Sequence, residues 1–186
     1  MLNSLIAKYN GKLAFGVGHI NLHDKGYANL DIRDAPHIDL VLDVGEPLPF
    51  EDNSISEILA ESVLEHIHHN VIGVSPSWRM SNIIKVLREW GRVLKPGGKL
   101  ILRVPNLEGV FKQYVAGVMT ATDLIGYVYG GGEYEENYHK AGFDTKIMSA
   151  CLRAAGFKKW DFVDAHKYKD RLDGTRAWEM GVIIIA

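Results

Sequence analysis

The stretch from residue 38 to residue 66 decides the fold, and it reads IDLVLDVGEPLPFEDNSISEILAESVLEH. Two apolar runs, 38–44 and 55–60, flank a loop rich in proline and acidic residues. Each run has the length of a strand and the Ile, Val and Leu content of strands that are buried on both faces of a parallel sheet. Asp43 ends the first run, and ligands of open parallel sheets bind at that edge. The stretch therefore predicts an α/β protein with a ligand site beside Asp43.

The composition predicts one domain with an ordinary core. The chain has 186 residues, of which 47% are hydrophobic and 24% are charged, and this size and balance suit one globular domain. The net charge of -2 provides no basic field for nucleic acid or for an anionic membrane. The first residues lack the apolar core of a signal peptide, and no apolar run has transmembrane length. We therefore expect a cytoplasmic protein without nucleic-acid or membrane partners. The oligomeric state stays open, a homodimer included.

A glycine loop follows the first predicted strand. The run from Lys12 to Gly18 is apolar and ends in Gly-Val-Gly. Glycine at such a position lets the backbone approach a ligand closely and adopt positive φ. A lone Gly-x-Gly is also typical of a simple tight turn. The candidate ligand-binding residues of this loop are Phe15, Gly16, Val17 and Gly18.

The connections around the second predicted strand are short. This strand covers 27–32, with only 18–26 before it and 33–37 after it. Parallel strands normally require a crossover of a dozen or more residues. The first two crossovers are therefore predicted to be turns or irregular loops instead of helices. The remaining predicted elements are a short helix over 1–9, strands over 55–61, 99–105, 157–164 and 176–186, helices over 81–94, 107–115, 122–129 and 144–155, and a polar loop over 165–174.

Three motifs resemble the class I S-adenosylmethionine-dependent methyltransferases, and in particular a small branch similar to methyltransferase type 11 with shortened first crossovers. They are Asn-Leu-Asp-Ile at 29–32, the 43–66 pattern of Asp, Leu-Pro-Phe, acidic residues and Val-Leu-Glu-His, and Arg-Val-Leu-Lys-Pro-Gly-Gly-Lys-Leu at 92–100. The resemblance implies one Rossmann-like domain over 1–186. Its seven-stranded, mostly parallel sheet would have the order 3-2-1-4-5-7-6, with an antiparallel hairpin at the C-terminus.

The resemblance also implies S-adenosylmethionine as cofactor and assigns roles to strand ends. Asp31, with Ile32, would bind the ribose hydroxyls, and Asp43, with Val44, would flank the adenine. Glu61 and Ser62 would lie beside the transferable methyl group. The alternative for each aspartate is an ordinary residue at the end of a strand. Ala14 stands where the family has an acidic residue, so we expect the adenosine end to bind better than the methionine end.

The segment over 106–143 is predicted to be an insertion that covers the ligand edge. It contains Gly130-Gly131-Gly132, followed by acidic, tyrosine and histidine residues, so we expect residues 130–140 to form a mobile lid. The alternative is an exposed loop with locally packed tyrosines. The implied reaction is methyl transfer to oxygen or nitrogen of a small-molecule or glycan-type acceptor. The candidate catalytic residues are His139, Glu135, Glu65 and His66.

A metal site is not expected at the histidine cluster. His66, His68 and His69 lack the one-turn spacing of a helical zinc site and have no nearby cysteine. Two other classes of protein remain open: a non-catalytic methyltransferase-like partner, and a Rossmann enzyme that binds NAD or a nucleotide sugar. The absence of a Gly-x-Gly-x-x-Gly turn argues against the second.

Overall fold

A computed structural model describes residues 2–67, 81–164 and 178–186. Seven strands form one sheet in the order β3-β2-β1-β4-β5-β7-β6, which confirms the predicted fold class and strand order. β1 to β5 pair in parallel, and β7 runs antiparallel between β5 and β6. The strands are β1 Lys12–Phe15, β2 Ala28–Asp31, β3 Leu40–Val41, β4 Ile55–Glu61, β5 Leu94–Pro105, β6 Lys159–Asp164 and β7 Glu179–Ile185.

Five α-helices and three single turns of 3-10 helix accompany the sheet in the described residues. The helices are α1 Leu2–Lys8, α2 Ser81–Val93, α3 Leu107–Val115, α4 Ala121–Tyr129 and α5 Thr145–Ala155. The 3-10 turns are His23–Lys25, Leu64–His66 and Glu135–Asn137. Over this part of the chain, no helix has both the length and the apolar character needed to span a bilayer.

The first two crossovers are short, as predicted. Only the turn at His23–Lys25 lies between β1 and β2. Side-chain hydrogen bonds tie these connections to the sheet in place of packed helices. The Asp39 carboxylate accepts from the amide of Asn29 and contacts the ring of His23, both at 2.8 Å. The ring of His37 contacts the carbonyl of Val17 at 2.8 Å.

Helix α2 holds the centre of the sheet and one side of the ligand edge. Trp90 is completely buried and meets Phe15 edge to face, with 5.2 Å between ring centroids. Its indole N–H donates to the carbonyl of Val44 at 2.9 Å. Because Val44 follows β3, this bond fixes the loop after β3 against the helix.

Several boundaries differ from the sequence predictions, and three elements differ by three residues or more at one end. The third strand is confined to Leu40–Val41 instead of covering 38–44, because its position at the edge of the sheet gives it one partner. β5 begins at Leu94, directly after α2, because Leu94 already pairs with Ile55. β7 begins at Glu179 instead of 176. The predicted loop over 165–174, as well as His68 and His69, lies outside the described residues.

Candidate active site

A cleft of about 730 Å³ opens at the carboxyl edge of the parallel strands. One side is formed by the loops after β1, β2 and β3, and the other by the turn after β4 and the segment after α4. Helix α2 contributes a third side through Asn82, Lys85, Val86 and Glu89. The cleft therefore lies where parallel sheets bind their ligands.

The Asp31 carboxylate organises the glycine loop. It is 4% exposed, and its Oδ2 accepts a hydrogen bond of 2.7 Å from the amide of Gly18. A Cβ atom at Gly18 would approach Oδ2 to 3.0 Å and overlap the guanidinium of Arg33. Gly16 has φ +70, and a Cβ there would overlap Val63. Glycine at both positions thus lets the backbone approach its neighbours closely, Val63 at Gly16 and the Asp31–Arg33 pair at Gly18.

Arg33 covers Asp31 from the solvent side. Its amide and its Nε both donate to Asp31 Oδ1, at 2.8 Å and 3.3 Å. The guanidinium lies over the ring of Tyr134, 4.7 Å from the ring centroid. Since Tyr134 belongs to the segment after α4, this contact joins the two sides of the cleft.

Asp43 and its neighbours present a polar group beside an apolar surface. Asp43 Oδ1 accepts from the amide of Gly45 at 2.7 Å, so the turn holds the exposed carboxylate in place. Ile32, Leu42 and Val44 line the same part of the cleft. An acceptor oxygen next to aliphatic side chains suits an aromatic base that carries an amino group.

Three candidate catalytic residues meet on the opposite side. A carboxylate oxygen of Glu65 and one ring nitrogen each of His66 and His139 lie within 4.8 Å of one another. The segment after α4 returns to this place because the amides of Lys140 and Ala141 donate to the carbonyl of Glu65, at 2.7 Å and 2.9 Å. His66 lines the cleft itself.

The Glu65 side chain is buried without a hydrogen-bond partner. It is 1% exposed, and neither Oε1 nor Oε2 has a partner in the described residues. Burial raises the pKa of the Glu65 carboxyl to about 8. The Glu65 backbone amide, Arg103 and the Ser62 hydroxyl lie close enough to oppose this rise in pKa without a hydrogen bond of normal geometry to the carboxyl, and Glu179 adds to the rise.

Both histidines are neutral near pH 7 and have a defined tautomer. Burial, followed by the neighbouring His139, lowers the pKa of His66 to about 4, and burial also lowers the pKa of His139. The Nδ1 atom of His66 contacts the carbonyl of Tyr138 at 3.2 Å, and Nδ1 of His139 contacts the carbonyl of Tyr127 at 2.9 Å. A carbonyl only accepts, so each Nδ1 carries the proton and each Nε2 keeps its lone pair.

The remaining predicted residues are placed as follows. The side chains of Phe15 and Val17 point into the core, with 0% and 5% exposure, so only their backbone can face a ligand. Glu61 pairs with Arg103 at 3.6 Å instead of lining the cleft. Ser62 lines the cleft in a left-handed conformation, with φ 52. Glu135 is exposed outside the cleft, whereas the neighbouring Glu136 lines it.

The sequence predictions missed the contribution of helix α2. Asn82, Lys85 and Glu89 recur at the spacing of one helical turn and form a polar edge along the cleft. That spacing was visible in the sequence. The apolar stripe of the same helix obscured it, because the stripe indicated only packing on the sheet.

The residues present fit the adenosine part of S-adenosylmethionine. Asp31 accepts three hydrogen bonds, from the amides of Gly18 and Arg33 and from Arg33 Nε, so one lone pair on Oδ2 remains for a ribose hydroxyl, and displacement of the Arg33 side chain would free a second on Oδ1. Asp43 stands next to the aliphatic surface that an adenine would contact. At the position where an acidic residue was expected for the methionine part, Ala14 is completely buried.

A family model described as a methyltransferase domain matches residues 9–102, which is about half of the chain. The chain belongs to the class I S-adenosylmethionine-dependent methyltransferases. The methyl donor of this family is S-adenosylmethionine, as the sequence motifs predicted. The match includes β1 to β4 and most of β5, so it covers the glycine loop, Asp31, Asp43 and Glu65.

A curated relative and several solved structures are similar to the chain. A 2-methoxy-6-polyprenyl-1,4-benzoquinol methylase of Dictyostelium discoideum, described as mitochondrial, is 31% identical over 147 residues. That match covers 73% of this chain, and the chain spans 40% of the relative's own length.

Among solved structures, a methyltransferase of Archaeoglobus fulgidus has a TM-score of 0.56 at 13% identity, covering 100% of this chain and 91% of that one. The CurJ carbon methyltransferase has a TM-score of 0.56 at 15% identity, covering 94% of this chain and 47% of that one. At these identities the structural likeness shows the fold alone.

Proposed function

We propose that the chain transfers the methyl group of S-adenosylmethionine to an oxygen or nitrogen atom of a small-molecule or glycan-type acceptor. One observation carries the proposal. The cleft places Asp31 and Asp43 on one side, while His66, in contact with Glu65 and His139, lies on the other. A methyl donor bound by the two aspartates would thus face histidine nitrogen lone pairs that can accept the proton of the methyl acceptor.

S-adenosylmethionine supplies a methyl group on a sulfonium, which makes that methyl electrophilic without further activation. The residues of the chain would therefore align the acceptor and handle its proton. Asp31 and Asp43 would hold the adenosine part. The segment 131–138 would exclude water, because Tyr134, Glu136 and Asn137 already line the cleft.

Proton removal from the acceptor is assigned to the cluster of Glu65, His66 and His139. His66 is the member of the cluster that lines the cleft, and the ring of His139 packs edge to face against the ring of His66. Both rings keep an Nε2 lone pair at neutral pH, as argued above. Glu135 becomes a weaker candidate, since it is exposed outside the cleft.

Isothermal titration with S-adenosylmethionine, its demethylated product and NAD tests the proposal against its two alternatives. We expect one site for the first two ligands and none for NAD. NAD binding alone would indicate a Rossmann dehydrogenase, and no binding of any of the three would indicate a non-catalytic partner. Formation of the demethylated product upon addition of fractionated metabolites would then identify the acceptor.

A further inference from the structure

We propose that Glu65, His66 and His139 form a binding site for one divalent transition-metal ion of the zinc, manganese or iron(II) class. Two histidines and one carboxylate are the ligand set of many such sites. The ligand atoms come from the turn Leu64–His66 and from the segment that follows α4, and they lie within 4.8 Å of one another.

The unpartnered carboxylate of Glu65 is the second, independent observation. Both of its oxygens are buried and have no hydrogen-bond partner in the described residues. A buried polar group without a partner is costly, and buried charges are usually paired or coordinate a metal. Arg103, which is partly buried, pairs with Glu61 at 3.6 Å and with Glu179 at 3.3 Å, and its Nε makes no hydrogen bond to Glu65 within the described residues. A bound cation would satisfy the Glu65 carboxylate.

The orientation of the histidines supports the same conclusion. Each Nδ1 is held by a backbone carbonyl, that of Tyr138 or that of Tyr127. Metal-binding histidines commonly have this arrangement, because it fixes the tautomer and turns the other ring nitrogen towards the ion. The two rings are also close, with 4.8 Å between centroids.

Metal binding requires the three ligand atoms to move closer together. Ligands at about 2.1 Å from an ion lie roughly 3 to 3.5 Å apart. The atoms of the cluster lie up to 4.8 Å apart, so binding would draw the most distant pair together by roughly 1.3 to 1.8 Å. The backbone of the segment carrying His139 is joined to Glu65 through the amides of Lys140 and Ala141, so the closure would come from the three side chains.

Three protein ligands leave an open position on the ion, and His66 places that position towards the cleft. This role of the metal rests on the proposed function. The ion would bind the hydroxyl oxygen of the acceptor and lower the pKa of that hydroxyl group. In the metal-bound protein the Nε2 lone pairs are coordinated, so the hydroxyl proton leaves to a water molecule, whereas removal of the proton by the histidines applies to the metal-free protein. The new O–CH₃ bond forms as the S–CH₃ bond of the donor breaks, and the sulfonium becomes a neutral thioether.

Titration of chelator-treated, untagged protein with Zn²⁺ and Co²⁺ tests the site. We expect one equivalent of Zn²⁺ to bind and Co²⁺ to give a visible absorption band of a nitrogen- and oxygen-ligated ion. Glu65→Gln, His66→Ala and His139→Ala should each weaken binding by at least about tenfold. Glu133→Gln and His19→Gln, which change exposed residues outside the cluster, should bind as the wild type does.

Several outcomes would overturn the metal site. One is the absence of stoichiometric binding, and another is binding that survives all three cluster substitutions. Binding that is lost in a His68→Ala, His69→Ala double variant but kept in His139→Ala would place the metal elsewhere. Thermal unfolding of each variant without metal, compared with the shift that Zn²⁺ produces in the wild type, separates lost binding from lost folding.

The same samples distinguish this inference from the proposed function. Binding of the demethylated cofactor without metal binding would remove the metal site and leave the methyltransferase function standing. Metal binding without cofactor binding would leave the metal site standing and remove the methyltransferase function.

Discussion

The rings of His66 and His139 meet edge to face, with 4.8 Å between their centroids and 78° between their planes. His66 lies in the turn after β4, and His139 lies in the segment after α4. Their contact brings two neutral imidazoles and the buried carboxyl of Glu65 to one side of the cleft.

His139→Ala should reduce turnover much more than cofactor affinity. The side chain lies with the proton-handling cluster and does not line the adenosine side of the cleft. We expect turnover to fall by about 10²- to 10⁴-fold, the usual effect of removing a positioned acid–base group. Affinity for the demethylated cofactor should stay within a factor of a few. Steady-state kinetics and calorimetry measure the two quantities, and Glu51→Gln, at an exposed position outside the cleft and the lid, serves as control. A matched loss of affinity would contradict the assignment.

Asp31→Ala should weaken cofactor binding by about 2–4 kcal/mol, because charge-assisted acceptors for two hydroxyls are lost. Calorimetry with the demethylated cofactor measures this loss. The matched control is Asp34→Ala, which removes an exposed carboxylate from the same loop outside the cleft. Equal affinities of the two variants would show that Asp31 does not bind the ribose.

Ligand binding should slow hydrogen exchange within 131–136. Within the described chain, the amides of 131–134 donate to no backbone carbonyl, whereas those of His139 and Lys140 donate to Tyr129 and Glu65. The sequence predicted a lid over 130–140, and the geometry narrows its mobile part to the residues before His139. Exchange measured with and without the demethylated cofactor should therefore change over 131–136 and little at 139–140. Unchanged exchange at 131–136 would rule out this lid.

Arg92→Ala should destabilise the fold by about 1–3 kcal/mol, because two backbone carbonyls lose a charged donor. Arg92 donates to the carbonyls of Leu48 and Phe50, at 3.1 Å and 3.0 Å, and it also pairs with Glu89 and Asp52. Urea unfolding at pH 7 measures the difference. Arg88→Ala, which removes an exposed arginine from the same helix, should cost less.

The contribution of Arg92 to the free energy of unfolding should depend on pH. Its hydrogen bond lowers the pKa of Glu89 below the ordinary value of 4.5. A lowered folded-state pKa contributes stability that is present above 4.5 and is lost as the pH falls through the folded value. The gap in free energy of unfolding between wild type and Arg92→Ala should thus narrow below pH 4.5. A gap that stays constant down to pH 3 would contradict the pairing.

Cys151 should resist thiol reagents in the folded protein. Burial raises the pKa of its thiol to about 11, so at pH 8 the reactive thiolate is nearly absent. A raised pKa contributes stability that is present below the ordinary value of 9 and is lost as the pH rises towards 11. Ellman's reagent should therefore titrate one thiol in denaturant and almost none in native protein at pH 8. Rapid labelling of native protein would show that the helix α5 does not bury this residue.

Several parts of the fold followed from the sequence alone. Strand β4 was predicted with its observed bounds, 55–61, from the apolar run 55–60 and the Glu61 that follows it. Helix α5 was predicted because Asp144 caps its first turn, accepting from the amide of Ile147 at 2.7 Å, and Gly156 ends it in a left-handed conformation. Such signals act between residues a few positions apart, so they can be recognised without the tertiary structure. The strand order followed from the family resemblance of the motifs.

The tertiary structure alone decided which side chains face the cleft and which residues meet across it. Phe15 was predicted beside the cofactor, yet its ring packs on Trp90, because successive residues of a strand point to opposite faces. Glu65 meets His139 because the segment after α4 returns and donates two amides to the Glu65 carbonyl. No local pattern specifies a contact of that kind, since it depends on where the sheet places distant parts of the chain.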